Sequence, residues 1–240
     1  MSPPPSAVSS TTTPSVAASA HAEHWHHQTM SSPRSWHVVI PVKGLATAKT
    51  RLCDDPGRRR ALALAMALDT ALAAADSYLV SKIWVVTPDS DVVAAMSGLG
   101  VQAVPEPSAE PKVGGLTSLN RALRAAGATV SSQYSKTAVA VLTADLPALT
   151  SEDLTSTLHE AGHSDRAVVG DCSGVGTTML TAGPTTSLNP LFGQHSLARH
   201  MASGATALTA SERLRLDVDT ESDLTRALRL GLGPMTRQLI

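Results

Sequence analysis

The stretch Trp36-His-Val-Val-Ile-Pro-Val-Lys-Gly-Leu-Ala-Thr-Ala-Lys-Thr-Arg-Leu52 decides the fold of this 240-residue chain. Its first seven residues are an apolar run, Trp36 to Val42, that reads as a buried first strand. The remainder of the stretch carries Lys43, Lys49 and Arg51 within nine residues. The chain has 5 lysines against 14 arginines, so two lysines in one short loop are a local concentration of charge. A cationic loop at the end of a first strand suits a polyanion such as a triphosphate. Taken alone it reads better as a solvated basic loop.

The pattern downstream alternates. Arg58 to Ala75 predicts a long Ala/Leu helix, Lys82 to Thr87 a strand, Asp91 to Leu99 a helix and Val101 to Val104 a short strand. Leu119 to Ala128 predicts a further helix, and Thr137 to Thr143 gives the strongest strand signal. Ser151 opens another helix in a capping-box pattern. Strands are expected near Ala167–Gly170 and Thr177–Thr181, then a helix from Ser196 to Ser203 and a last one from Glu221 to Leu230. This order predicts an α/β fold, a mostly parallel sheet sandwiched by helices. Ligands of such sheets gather at the carboxyl ends of strands, near a switch in strand order. A dinucleotide fold would place G-x-G-x-x-G there, whereas this chain has Pro41-Val-Lys43 and no P-loop.

Composition narrows the function. Hydrophobic residues are 42% and aromatics 2%, so the core must be built from Ala, Val and Leu. A formal charge of -1 argues against nucleic acid as a partner, and any anion site must be local. Cys53 and Cys172 offer neither metal spacing nor a disulfide framework, which points to a reduced, cytoplasmic protein. No apolar run approaches the roughly 20 residues of a membrane span. Residues 1–34, rich in Ser, Thr, Pro and Ala, are expected to be a disordered N-terminal extension preceding a catalytic domain over 35–240. His21, His24, His26 and His27 lie in that extension and are assigned no function.

Two acidic segments join the cationic loop. Leu142-Thr-Ala-Asp-Leu-Pro-Ala-Leu149 places Asp145 just past the strongest strand. Leu216-Asp-Val-Asp-Thr220 spaces Asp217 and Asp219 two apart, which in an extended segment puts both carboxylates on one face. Each alone could be a turn cap or a solvated side chain. Together they suggest a hard oxygen site for Mg²⁺ beside a triphosphate.

In sequence order, Ile40-Pro-Val-Lys43, Ala48-Lys-Thr-Arg-Leu52, Leu119-Asn120, Asp145-Leu-Pro147, Phe192-Gly-Gln-His-Ser196 and Asp217-Val-Asp219 resemble the phosphoenolpyruvate or 2-phospho-L-lactate guanylyltransferases of coenzyme F-420 biosynthesis. The resemblance runs from Trp36 to the C-terminus. It implies a nucleotidyltransferase fold related to nucleotide-diphospho-sugar transferases, with GTP and phosphoenolpyruvate as partners. By that resemblance Lys43, Lys49 and Arg51 would hold the GTP phosphates, and Asp145, Asp217 and Asp219 would bind Mg²⁺. Lys43, Lys49, Arg51 and Asp145 would carry catalysis. Thr177, Gly193 and Ser196 would receive the acid, with Ser196 the expected N-cap of its helix. Family members often have Gly before Leu-Asn, where this chain has Ser118 with Gly114 and Gly115 earlier. Gly115 and Asn120 are therefore the candidate nucleotide contacts, Asn120 foremost for the base.

The attacking oxygen would belong to the acid's own, already ionised phosphate, so no general base is expected. The abundance of alanine and of arginine over lysine suggests a GC-rich genome, which favours phosphoenolpyruvate over 2-phospho-L-lactate. A labile product would suit direct handover to the next transferase of the pathway, and a homo-oligomer is left open. The competing readings are a molybdopterin or sugar-phosphate nucleotidyltransferase, and a degenerate module that only binds nucleotide.

Overall fold

The apolar run at Trp36 becomes β1 (Trp36–Pro41), whose first five residues are buried. It leads through a short turn of 3-10 helix, Leu45–Thr47, into α1 (Pro56–Ala75). Asp55 caps α1 by accepting the Arg58 N–H, and Pro56 supplies the preset φ of a first helical position. The computed structural model describes residues 35–104 and 117–240 together with Met1. The expected N-terminal extension and Gly115 lie outside the described residues.

Three more units follow the alternation expected. They are β2 (Val80–Val86) with α2 (Ser90–Ser97), β3 (Gln102–Val104) with α3 (Ser118–Gln133), and β4 (Ala138–Leu142) with α4 (Ser151–Ala161). The α3 helix runs five residues beyond the expected Ala128, because Val130 is buried in the core beneath it. After these come β5 (Arg166–Gly170), β6 (Thr177–Ala182), α5 (Ser196–Ala202), β7 (Thr206–Ala207), α6 (Glu212–Arg215), α7 (Glu221–Leu230) and α8 (Pro234–Arg237). Three of these, β7, α6 and α8, are elements of two to four residues that the sequence pattern did not predict.

The seven strands form one sheet in the order β3-β2-β1-β4-β6-β5-β7. The pairs β1–β2, β1–β4 and β2–β3 are parallel, and β6 alone runs against its neighbours β4 and β5. The chain steps outward from β1 to β2 and β3, then returns to lay β4 on the other side of β1. That reversal opens a crevice at the carboxyl ends of β1 and β4, where open α/β sheets bind ligands.

Both sheet faces are covered, and the strand period of two explains how. Val38, Ile40, Ala140 and Leu142 pack with Ala67, Ala71 and Leu154 of α1 and α4. Val39, Val139 and Val141 pack on the opposite face with Ala122, Leu123, Ala126 and Val130 of α3. Ala-rich helices let these layers approach closely without aromatic bulk. A third cluster joins Leu62 and Met66 of α1 to Leu216, Val218, Leu224 and Ala227, and so brings the Asp217–Asp219 segment against the body of the fold.

Candidate functional site

The parallel pairing of β1 and β4 carries Lys43 and Asp145 to the same edge of the sheet. Beyond β1 the loop is tied down by Asp89, whose carboxylate accepts the Leu45 N–H at 2.9 Å while its other oxygen caps α2. At Lys49 the backbone turns left-handed, with φ 56. Only Gly, Asn and Asp adopt this region readily. The turn is closed by the Leu52 N–H, which donates to the Lys49 carbonyl at 2.9 Å.

This turn sends the Lys49 ammonium into the acidic residues. It donates to Asp145 Oδ2 at 2.5 Å and to Asp219 Oδ1 at 2.9 Å, and its side chain is 11% exposed. Burial alone would lower its pKa, but Asp145 and Asp219 outweigh burial and raise it. Arg51 reaches the other Asp219 oxygen at 2.7 Å. Burial pushes Asp219 up, while Lys49 and Arg51 pull harder and leave it below the ordinary carboxylate value. The Asp217–Asp219 segment is itself placed by main chain, since the Val218 N–H donates to the Asp145 carbonyl at 3.0 Å.

Asp217 differs from its neighbours. Burial first, then Asp145, Asp171 and Asp219, raise it to about 7. Three buried polar atoms at the ends of β4 and β6 also have no hydrogen-bond partner: Thr143 Oγ1, Asp145 Oδ1 and Thr178 Oγ1. The two strand ends adjoin, and the Thr143 N–H donates to the Thr178 carbonyl at 2.9 Å. Buried polar atoms are normally paired, so this trio stands out at the strand ends beside the cationic loop. Among the described residues no three His, Cys, Asp or Glu side chains close into a metal-chelating group. Asp145 and Asp219 close on Lys49 instead. An excess of carboxylate at Asp217 and an unpartnered Asp145 oxygen are nevertheless the donor chemistry of a hard divalent cation.

Lys43, Lys49, Arg51, Asp145 and Asp219 line one cavity of about 630 Å³, walled on its apolar side by Val86, Leu119 and Ala122. Ser118, at the start of α3, also faces it, so the amino end of that helix points at the cavity. Thr177, Gly193 and Ser196 lie outside this lining. They form a neighbouring group in which Ser196 Oγ donates to Thr177 Oγ1 at 3.0 Å.

Two expectations need correcting. Ser196 is not the N-cap of α5: the cap position is His195, with φ 54, and Ser196 is the first helical residue. Its hydroxyl is drawn inward to Thr177, and the residue is 2% exposed. Asn120 does not face the cavity as a base reader would. It is 3% exposed, and its amide is engaged by the main chain of Phe192, accepting the N–H at 2.8 Å and donating to the carbonyl at 3.0 Å. It ties α3 to the loop that carries Gly193.

Two contributors went unread in the sequence. Asp171 binds its own loop, accepting the amides of Val175 and Gly176 at 2.9 Å each, and thereby shapes the approach to Thr177. His200 is fully buried against Thr177. An imidazole inside a short apolar helix was the available signal, since a buried polar ring must find partners.

The family described as "Guanylyl transferase CofC like" matches residues 36–240. A protein of Streptomyces scabiei named phosphoenolpyruvate guanylyltransferase is 45% identical over 205 residues, covering 84% of this chain and 94% of its own. Among solved structures, one described as a nucleotide-diphospho-sugar transferase from Desulfovibrio desulfuricans G20 superposes with a TM-score of 0.61 at 13% identity, covering 86% of this chain and 94% of its own. Rv0371c from Mycobacterium tuberculosis H37Rv, solved in complex with manganese, gives 0.52 at 21% identity and covers 81% and 98%. At these identities the two structures establish the shared fold alone.

Proposed function

Because the chain belongs to the CofC-like guanylyltransferase family, we propose that it joins the phosphate of phosphoenolpyruvate to the GMP moiety of GTP. The products are enolpyruvoyl-2-diphospho-5'-guanosine and diphosphate, a step toward coenzyme F-420. One observation carries this reading: Lys43, Lys49 and Arg51 share a single cavity with Asp145 and Asp219, at the strand-order switch beside β1.

The reaction brings two anions together. An ionised oxygen of the acid's phosphate attacks the α-phosphorus of GTP; the new P–O bond forms as the bond to the β-phosphate oxygen breaks, and diphosphate leaves. No proton moves. The chemical difficulty is repulsion, and the residues present address it by position and charge. Lys43 and Arg51 face the cavity as cations for the triphosphate, and Lys49 holds its charge at the boundary between cavity and aspartates. Asp145, Asp217 and Asp219 would hold Mg²⁺. Bound there, the ion supplies Lewis-acid stabilisation of charge on the phosphates. The amino end of α3 and the apolar wall of Leu119 and Ala122 offer a place for the nucleoside. Thr177, Gly193 and Ser196 receive the acid.

The 45% identity to a protein named for phosphoenolpyruvate supports that acid over 2-phospho-L-lactate. Among the described residues no helix is long and apolar enough to cross a membrane, and a cytoplasmic enzyme that passes its labile product directly to the next transferase completes the reading. The test is diphosphate release from GTP and Mg²⁺ with each acid in turn. Release with phosphoenolpyruvate well above that with 2-phospho-L-lactate is expected. The reverse preference would reassign the substrate, and no release with either would leave only a nucleotide-binding module.

A further inference from the structure

The loop from Leu188 to Gly193 is held by three separate elements. Arg166 of β5 donates to the carbonyls of Leu188 and Asn189 at 3.2 and 3.3 Å. His200 of α5 accepts the Leu191 N–H on Nε2 at 2.8 Å. Asn120 of α3 clamps Phe192 through both its N–H and its carbonyl. The loop ends at Gly193, whose φ of 121 suits glycine and where a Cβ would stand 3.3 Å from the Arg199 guanidinium.

The bonding at His200 admits one arrangement of protons. A main-chain N–H can only donate, so Nε2 must present a bare lone pair to Leu191. The neutral ring then carries its proton on Nδ1, which donates to Thr177 Oγ1 at 3.0 Å. Ser196 Oγ donates to the same oxygen at 3.0 Å. Both acceptor sites of the Thr177 hydroxyl are thereby used. Its own proton is directed away from His200 and Ser196, and it has no acceptor among the described residues. Protonating His200 would require a proton on Nε2, against the Leu191 N–H. Burial first, then Arg166 and Arg199, lower it to about 4 and keep the ring neutral near pH 7.

We infer that His200 is a positioning residue for the acid: through Nδ1–H it commits the Thr177 hydroxyl to donate to an anionic oxygen of the three-carbon substrate. Through Nε2 it also steadies the loop that presents Gly193. This role rests on the reading that Thr177, Gly193 and Ser196 receive the acid. The donor is then set before the substrate arrives, which removes an ordering cost from binding.

Nitrogen-15 NMR of the imidazole rings in the full-length protein reads the tautomer without any variant. The expected spectrum has His200 protonated on Nδ1 and bare on Nε2. A proton on Nε2 overturns the inference.

Kinetics supply the second arm. His200→Gln retains an acceptor near Leu191 and loses the donor to Thr177, so KM for phosphoenolpyruvate should rise about tenfold while KM for GTP holds. His200→Asn keeps a donor at the Nδ1 position and should recover much of that loss. In a Thr177→Val background, His200→Gln should have little further effect on acid KM, because the two residues act as one unit. Equal losses for both substrates, or independent effects of the two substitutions, would mark His200 as a packing residue only. Wild-type protein that turns over no acid would overturn the substrate reading and this role with it. Turnover with the proton on Nε2 would overturn this role alone.

Discussion

At Lys49 a left-handed backbone turn, two carboxylates and a cavity wall meet in one side chain. Removing the ammonium leaves Asp145 and Asp219 facing each other with less cation between them. Lys49→Met is therefore expected to cost on the order of 10²-fold in kcat/KM. Lys49→Arg should not restore it, since a planar fork cannot occupy the position of a compact ammonium between two carboxylates. Steady-state kinetics with both substrates check this, and near-wild-type Lys49→Met would contradict it. Asp145 is the stricter case. Its Oδ1 is buried and unpartnered, which offsets part of what the Oδ2–Lys49 pair contributes, so Asp145→Ala should lose turnover by about 10²-fold or more while the protein still folds and melts cooperatively. A well-folded, active Asp145→Ala would remove that residue from the chemistry.

The elements were legible where length gave periodicity room to show. The runs at Trp36 and Ala138 and the Ala/Leu helix from Pro56 were readable because each buries most of its residues. The segments β7, α6 and α8 were not, because two to four residues carry no period and their conformation is imposed by tertiary contacts. Asp69 shows the mechanism. It sits at 4% exposure inside the apolar face of α1 and accepts the amides of Met235 and Thr236 at 2.9 and 2.8 Å. A carboxylate in the middle of an apolar helix was the local signal that some distant main chain must reach it. Its neighbour Thr70 accepts the Leu146 N–H at 3.2 Å, so one turn of α1 anchors both the C-terminal helix and the segment carrying Asp145. Asp69→Ala is expected to cost about 2–4 kcal/mol by leaving buried amides unpaired, measured by urea unfolding, with Asp69→Asn costing less. No loss of stability would show that α8 docks without it.

At the scale of the molecule, the order of motifs specified the site better than any local rule specified its details. Lys43, Lys49, Arg51, Asp145 and Asp219 converge as the strand alternation implies, because parallel strands deliver their following loops to one edge. The cap position expected of Ser196 falls to His195 and the Asn120 amide turns to Phe192, since a serine at a helix start and an asparagine near a cavity look the same in sequence whether they face solvent, ligand or a buried partner. The fold also carries a pH signature. Between about 4 and the ordinary 6.5 of a free histidine, the unfolded chain binds a proton at His200 that the folded chain does not. That group's contribution to stability is therefore complete above about 6.5 and lost as pH falls toward 4. His200→Gln should flatten this part of the profile in thermal melts, and an unchanged slope would place the titration elsewhere. The catalytic expectations depend on two anions being joined at this edge of the sheet. Phosphorus-31 NMR of GTP, phosphoenolpyruvate, Mg²⁺ and the protein tests that most directly. The account predicts a new pair of coupled diphosphate resonances growing with free diphosphate, as the GTP and phosphoenolpyruvate signals decline together; unchanged substrate spectra, or GTP consumed without loss of phosphoenolpyruvate, would contradict it.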